Sequence, residues 1–386
     1  MPIRHAILAI VLAAACSSAP PKLAPPAAPK PTTPACDVFF ASPGLQRILG
    51  MLDKLATIDA APWLDYRTEQ HPVVLLGPDQ PAPPTCALVW RGHELARLAL
   101  AEPVEMKTGP FRFWTSDPIG PHAVPAMKGL GELMASAPQD LATALASIGV
   151  TRAMMLRIDF EQGPLAKLDL SRYFSSFDVL RFLWVVHETF HLYSQFPVWL
   201  DQPARYAWPA WDHQPSRPEL VATCYGGKDA PFAKDERAAL FEAYGAVYRR
   251  SDRTAACTAV QKFLAARAAR YASLADARVA TAETPIGCEQ AEAIMELEEG
   301  VPSFIANVIA LDLGVVSLDQ IDAGFQQPLA EPFYGHGAFE LMVLRRLLDR
   351  DALRAATERI TKSADYKSGI TYELASRCSS DHARSN

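Results

Sequence analysis

His187, Glu188 and His191 form the pattern H-E-x-x-H, whose residue types and spacing can assemble a metal centre. On a helix, two histidines four apart lie one turn from each other on the same face. Their imidazoles can converge on one cation, at about 2.0–2.1 Å for a Zn–N bond. Glu188 follows the first histidine and can approach a metal's water without being a ligand, which is the place of a general base. Accidental matches fall typically in loops, beside prolines or on polar surface helices. This one is entered through Val179, Leu180, Phe182, Leu183, Trp184, Val185 and Val186 and left through Phe190, Leu192 and Tyr193. Such an apolar helix is expected to be buried. Buried His, Glu and His side chains cost several kcal/mol unless they are satisfied, and a metal satisfies all three.

A catalytic zinc takes three protein ligands and keeps one position open. Ser194 and Pro197 stand where the extended metzincin motif requires glycine and histidine, which excludes that class. The third ligand must come from farther along the chain. Glu299-Gly300-Val301-Pro302-Ser303-Phe304 looks like the E-G-x-A-x-(Y/F) helix of the gluzincins, with Pro302 in place of the small residue. On these two segments the chain resembles a gluzincin-type zinc metallopeptidase. The resemblance implies Zn2+ as cofactor, His187 and His191 as ligands, Glu188 as catalytic base, Glu299 as third ligand, and a peptide or protein substrate. It covers these two helices alone. Glu292, Glu296 and Glu299 lie at i, i+4 and i+7, so each can point inward; Glu296 is the first alternative, with His213 and Glu219 behind it.

Further candidates are looser. Tyr334-Gly335-His336-Gly337 opens a helix, and by resemblance Tyr334 or His336 donates to a developing oxyanion; an ordinary capping turn is the competing reading. Trp208, Trp211 and His213 sit in a Pro- and Trp-rich loop that could wall a cleft, although such tryptophans more often simply pack. His71, His93 and His122 have no partner pattern and read as structural.

The elements that must position these residues form an α+β chain. A helix is expected over Leu45–Ile58, then β-type patterning over 73–76, 86–100 and 104–114, and a helix over 127–148. Thr151–Phe160 is the best strand; just upstream of the metal helix, it is expected to form a sheet edge that pairs with extended substrate backbone, as in zincin-like folds. Ser175 or Ser176 caps the metal helix, with Ser175-x-x-Asp178 approximating a capping box, and Pro197 stops it. From Lys234 onward the pattern is helical: 236–249, 255–277, 289–299, 301–313, 337–349 and 351–362. The polar end, 375–386, is expected to fray except where Cys378 ties it down. The expected organisation is a small mixed sheet with the metal helix over 36–200, and a helical part over 201–386 that supplies the third ligand.

Bulk properties narrow the function classes. The 386 residues are 49% hydrophobic and 21% charged, ordinary for a globular chain. A net charge of −6 without a basic cluster argues against nucleic acid as a partner. Arg4 and the apolar run Ala6–Ala15 read as a signal peptide over 1–15. Ala13-Ala14-Ala15-Cys16 resembles a bacterial lipobox, which would make Cys16 a lipid-bearing membrane anchor; cleavage to a secreted form is the alternative. Seven prolines between Ala19 and Ala35 suit an extended stalk. The remaining cysteines, 36, 86, 224, 257, 288 and 378, are six in number and lack C-x-x-C pairs. In an oxidising cell envelope three disulfides are expected, with fifteen connectivities open. The function expected is zinc-dependent hydrolysis, of peptides first; a non-peptide ester or amide hydrolase and a lipid-anchored binding protein with a residual zinc site stand as alternatives. Oligomeric state leaves no trace in the sequence.

Overall fold

The computed structural model describes residues 33–58, 63, 66–77, 83–105, 111–116, 137–158, 174–195, 215–226, 232–281, 284–326, 332–362 and 369–384. The leader with Cys16, Pro197, and the candidates His122, Trp208, Trp211 and His213 lie outside these residues.

The chain opens with helices α1 (Thr33–Phe40) and α2 (Pro43–Asp53). Ser42 caps α2 by accepting from the Leu45 amide, and Pro43 takes the first turn, where no amide is needed. Strands β1 (Val73–Gly77), β2 (Cys86–Trp90), β3 (Glu94–Ala99) and β4 (Phe111–Thr115) follow, then α3 (Gln139–Ser147) and β5 (Arg152–Arg157). The helix expected over 127–148 is thus α3 for the part that is described. The five strands form one mixed sheet in the order β3-β2-β1-β5-β4. β1 and β5 are parallel, and the other neighbours are antiparallel.

This order corrects the expected place of Thr151–Phe160. β5 is an inner strand between β1 and β4, not an edge. Its continuous apolar run reflects cover on both faces, which edge strand β4 shares; the inner position comes from β4 pairing beyond it. Met154 and Leu156 face a cluster shared with the helix that carries the H-E-x-x-H residues, whereas Ala153 and Met155 face a cluster shared with Leu141 and Leu145 of α3. Val73 and Leu75 of β1 divide from Val74 and Leu76 in the same way, as the two-residue period demands. Among the described strands, the edges are β3 and β4.

Helix α4 (Phe177–Phe190) carries the H-E-x-x-H residues and continues into a π-helical turn, His191–Gln195. Ser176 is its cap, accepting from the Val179 amide at 3.4 Å. Asp178 is not part of a capping box; it accepts from Arg181 (2.8 Å) and from Arg47 of α2. At the far end, the Tyr193 hydroxyl meets the Pro72 and Arg152 carbonyls at 3.1 and 2.7 Å, tying the helix to the start of β1 and β5. His71 is sandwiched between the rings of Tyr66 and Tyr193, a structural place.

The remaining described elements are helices, apart from one antiparallel bridge between Val279 and Ile286: α5 (Arg217–Cys224), α6 (Phe232–Arg249), α7 (Arg253–Ser273), α8 (Cys288–Met295), α9 (Val301–Asp312), α10 (Leu318–Gln326), α11 (Pro332–Leu347), α12 (Arg350–Lys362) and α13 (Ile370–Arg384). α8 runs into α9 through a second π-helical turn, Glu296–Gly300. α13 extends to Arg384 where fraying was expected from composition, because Leu374 and Cys378 are fully buried. One apolar cluster joins the sheet, Phe182, Val186 and Phe190 of α4, Phe304 and Ile305 of α9, and Leu341 and Leu344 of α11. The segments that carry His187, His191 and Glu299 are therefore set against each other by packing.

Three disulfides form, as expected for an oxidising compartment: Cys36–Cys86, Cys224–Cys288 and Cys257–Cys378. They close separations of 50, 64 and 121 residues, long loops whose closure removes much unfolded-state entropy. No described helix is long and apolar enough to cross a membrane.

α11 crosses the Glu296–Gly300 turn at backbone contact. A β-carbon on Gly300 would lie 2.7 Å from the Gly337 Cα, and one on Gly337 would lie 2.8 Å from the Glu296 carbonyl oxygen. Neither neighbour is a flexible side chain, so the glycines are required by approach rather than by backbone angle. Gly337→Ala should therefore destabilise the protein by about 1–3 kcal/mol, the range for overpacking. Urea denaturation at fixed pH measures this, and an unchanged midpoint would show that the helices separate without cost.

Candidate metal centre

His187 and His191 point from α4 and its π turn toward Glu299, which the second π turn presents from the opposite side. The Nε2 atoms of the two histidines are 3.1 Å apart, and Glu299 Oε2 lies 3.3 Å from one and 3.4 Å from the other. Three ligands at about 2.0–2.1 Å on a tetrahedral centre are separated by about 3.3 Å, so these atoms have the spacing of a closed face around one ion. All three side chains are buried, and among the described residues they are the one His/Cys/Asp/Glu group found that could hold a metal. Two imidazoles and a carboxylate are also a donor set that suits a catalytic zinc. The residues present fit the ion.

π turns explain how these side chains meet. A π turn widens the helix by one residue and rotates the residues beyond it. Glu292 of α8 and Glu296, the first residue of the π turn, face buried arginines of α7. Arg270 holds Glu292 (2.6 Å) and Glu236 (2.5 and 3.1 Å), while Arg267 holds Glu296 (2.7 and 3.2 Å) and Glu340 (3.0 Å). Within the widened turn, Glu299 leaves that face and meets the histidines. The alternatives Glu292 and Glu296 are thereby engaged elsewhere. Glu219 is also occupied, accepting from the Ala280 amide at 3.1 Å.

Gln195, one turn beyond His191, joins the two π turns. Its side-chain oxygen faces His191 Nδ1 at 2.5 Å, and its amide nitrogen donates to the Leu297 and Glu298 carbonyls at 3.2 and 3.1 Å. An acceptor at Nδ1 fixes the tautomer that turns Nε2 toward a metal. Sequence reasoning passed over Gln195, although its i+4 spacing from His191 continues the ligand face. Arg217 on α5 was also missed. It donates to Glu298 (3.2 Å), to Glu299, and to the Tyr334 hydroxyl (2.9 Å). No local pattern marks Arg217 in the sequence.

The two oxyanion candidates separate, as residues two apart on a helix must. The Tyr334 ring stacks 6.3 Å from that of His187, beside the site. His336 is fully buried with Arg267, whose guanidinium donates to its Nδ1 at 3.2 Å, and it lies near Tyr225 and Phe263. Burial, then Arg267, Arg270 and Arg237, hold its pKa well below the ordinary value. The structure brings Tyr334 to the metal residues and assigns His336 to the ionic cluster, which corrects its expected catalytic place.

The electrostatics of the group are those of ligands competing for a proton. Burial pushes His187 down to about 4, which keeps it neutral. Burial also opposes charge on His191, yet Glu299, with Glu188 and Glu298, raises it to about 9. Burial disfavours the Glu299 carboxylate, but Arg217 and His191 hold it well below the usual range. Burial pushes Glu188 up to about 8, near the pH at which a general base works best.

Searches of family models, curated proteins and solved structures found no match to this chain.

Glu299, with Glu188 and Glu298, favours a proton on His191 where a metal would bind, so metal and proton compete there. Below about pH 9 zinc affinity should rise about tenfold per pH unit as that one proton is lost, and should level off above. Chelator competition between pH 6.5 and 9.5 measures the slope. A flat profile across this range would contradict the charge state assigned to His191.

Proposed function

We propose that this protein is a zinc-dependent hydrolase, most plainly a peptidase, with His187, His191 and Glu299 holding Zn2+. The observation that carries the reading is the convergence of three buried donor atoms at ligand spacing, with a fourth buried group, Glu188, directly after the first histidine. A structural zinc site has no use for that carboxylate; a hydrolytic one needs it. When bound, zinc supplies Lewis acidity, lowering the pKa of water and polarising a scissile carbonyl.

The remaining work falls to this chain's own residues. Glu188 takes the proton of the attacking water and returns it to the leaving amine. Tyr334, whose hydroxyl is held by Arg217, donates to the developing oxyanion. The apolar walls of α4 and α9 keep these groups in a low-dielectric surrounding, where each interaction is stronger than in water.

The arrangement of a mixed sheet, a metal helix beneath it and a helical part bearing the third ligand supports a zincin-like description. Peptide backbone then pairs with β4, the sheet edge next to β5, rather than with β5 itself. Three disulfides suit an oxidising compartment. Together with the signal and lipobox features, they support a bacterial envelope protein anchored by lipid on Cys16.

Glu188→Gln provides the test. The substitution preserves volume and lies off the ligand set, so zinc should be retained while turnover of a peptide library falls about 10²–10⁴-fold. Wild-type turnover in the zinc-loaded variant would refute the role of Glu188 as base.

A further inference from the structure

Arg217 belongs to neither ligand helix, yet its guanidinium meets three groups at the centre. One nitrogen, Nη2, donates to Glu299 Oε1 and Glu298 Oε1; the other, Nη1, donates to the Tyr334 hydroxyl. The two oxygens of Glu299 are therefore unlike. Oε1 is taken by Arg217, while Oε2 faces both histidines.

We propose that Arg217 is a positioning residue that keeps Glu299 a one-oxygen ligand and so preserves an open coordination position for water and substrate. The inference rests on the metal-centre reading above. A carboxylate beside a divalent cation can bind through one oxygen or both. A second metal–oxygen bond would fill the position that separates a catalytic from a closed site. A charge-assisted hydrogen bond to Oε1 competes directly with that second bond.

The surroundings favour this role for arginine. The planar fork reaches Glu299 with one nitrogen and Tyr334 with the other, which a lysine's single ammonium cannot do. α5 is itself anchored to the helix that bears Glu299. Cys224 at its C-terminal end is bonded to Cys288 at the start of α8, and the Cys224 carbonyl accepts from Arg270 at 3.0 Å. Glu219, two residues after Arg217, holds the Ala280 amide. The guanidinium is thus placed by covalent and buried contacts, although its side chain is 23% exposed.

A clamp that merely supported the fold would lose metal affinity when removed. The positioning role makes the opposite prediction. Without the guanidinium there is one positive charge fewer beside the dication, and Oε1 becomes able to chelate. Zinc is then held at least as tightly while the open position closes.

The experiment compares wild type, Arg217→Met, Arg217→Lys and Tyr334→Phe. Each is loaded with Co2+ for visible absorption, and zinc affinity is measured by chelator competition. Wild type and Tyr334→Phe should show the intense band of four-coordinate cobalt. Arg217→Met should show the weaker band of higher coordination with zinc affinity undiminished, and Arg217→Lys should recover part of the wild-type band. The proposal is overturned if Arg217→Met keeps the four-coordinate band, or if its band changes with about tenfold or greater loss of zinc, the mark of an ordinary supporting residue. A wild-type protein that takes up neither metal overturns the metal-centre reading, and this inference with it.

Discussion

Everything in this fold bears on one constraint: three buried donor atoms, two imidazole nitrogens and a carboxylate oxygen, lie 3.1–3.4 Å apart. Lone pairs at that spacing, removed from water, repel one another unless a proton or a cation lies among them. A folded chain that brings them together from positions 187, 191 and 299 must meet this cost through packing. The shared core of α4, α9 and α11 does so. It buries Phe182, Val186, Phe190, Phe304 and Leu341 in one cluster, each side chain worth about 1.5–3 kcal/mol of apolar transfer.

Placing Glu299 also requires keeping its neighbours away. Glu292 and Glu296 lie on the same segment and are as buried as Glu299. Arg267 and Arg270 take them, within a cluster that also holds Glu236, Glu340 and His336. Buried ion pairs of this kind add little net stability against an apolar substitute, but losing one partner is costly because the other charge is stranded. The pairing sorts three similar carboxylates into two that support and one that faces the histidines. The π turn between Met295 and Val301 provides the rotation, and the Gly300–Gly337 contact holds the turn against α11.

How legible each residue was in the sequence depends on what holds it in place. His187, Glu188 and His191 depend on local helix geometry, and the apolar run around them announces a buried helix. Glu299 was singled out by the resemblance of Glu299–Phe304 to the gluzincin E-G helix, while helical spacing alone left Glu292 and Glu296 equally placed. The deciding contact, Arg267 with Glu296, spans 29 residues and leaves no local pattern. Arg217 meets Glu299 across 82 residues and Tyr334 across 117, so no spacing rule could find it. The apolar run of β5 read correctly as a strand. Its place inside the sheet depended on β4 pairing beyond it, which strand composition does not specify. Cysteine number implied three bridges, while their connectivity needed the fold.

The most direct measurement is metal content together with ligand type. The oxidised protein, purified without chelator, should carry or take up about one zinc per chain, and X-ray absorption at the zinc edge should show two imidazole nitrogens and oxygen, without sulfur. A folded protein with its three disulfides intact that neither holds nor accepts zinc would contradict the account, leaving the convergence of His187, His191 and Glu299 as a buried hydrogen-bonded cluster.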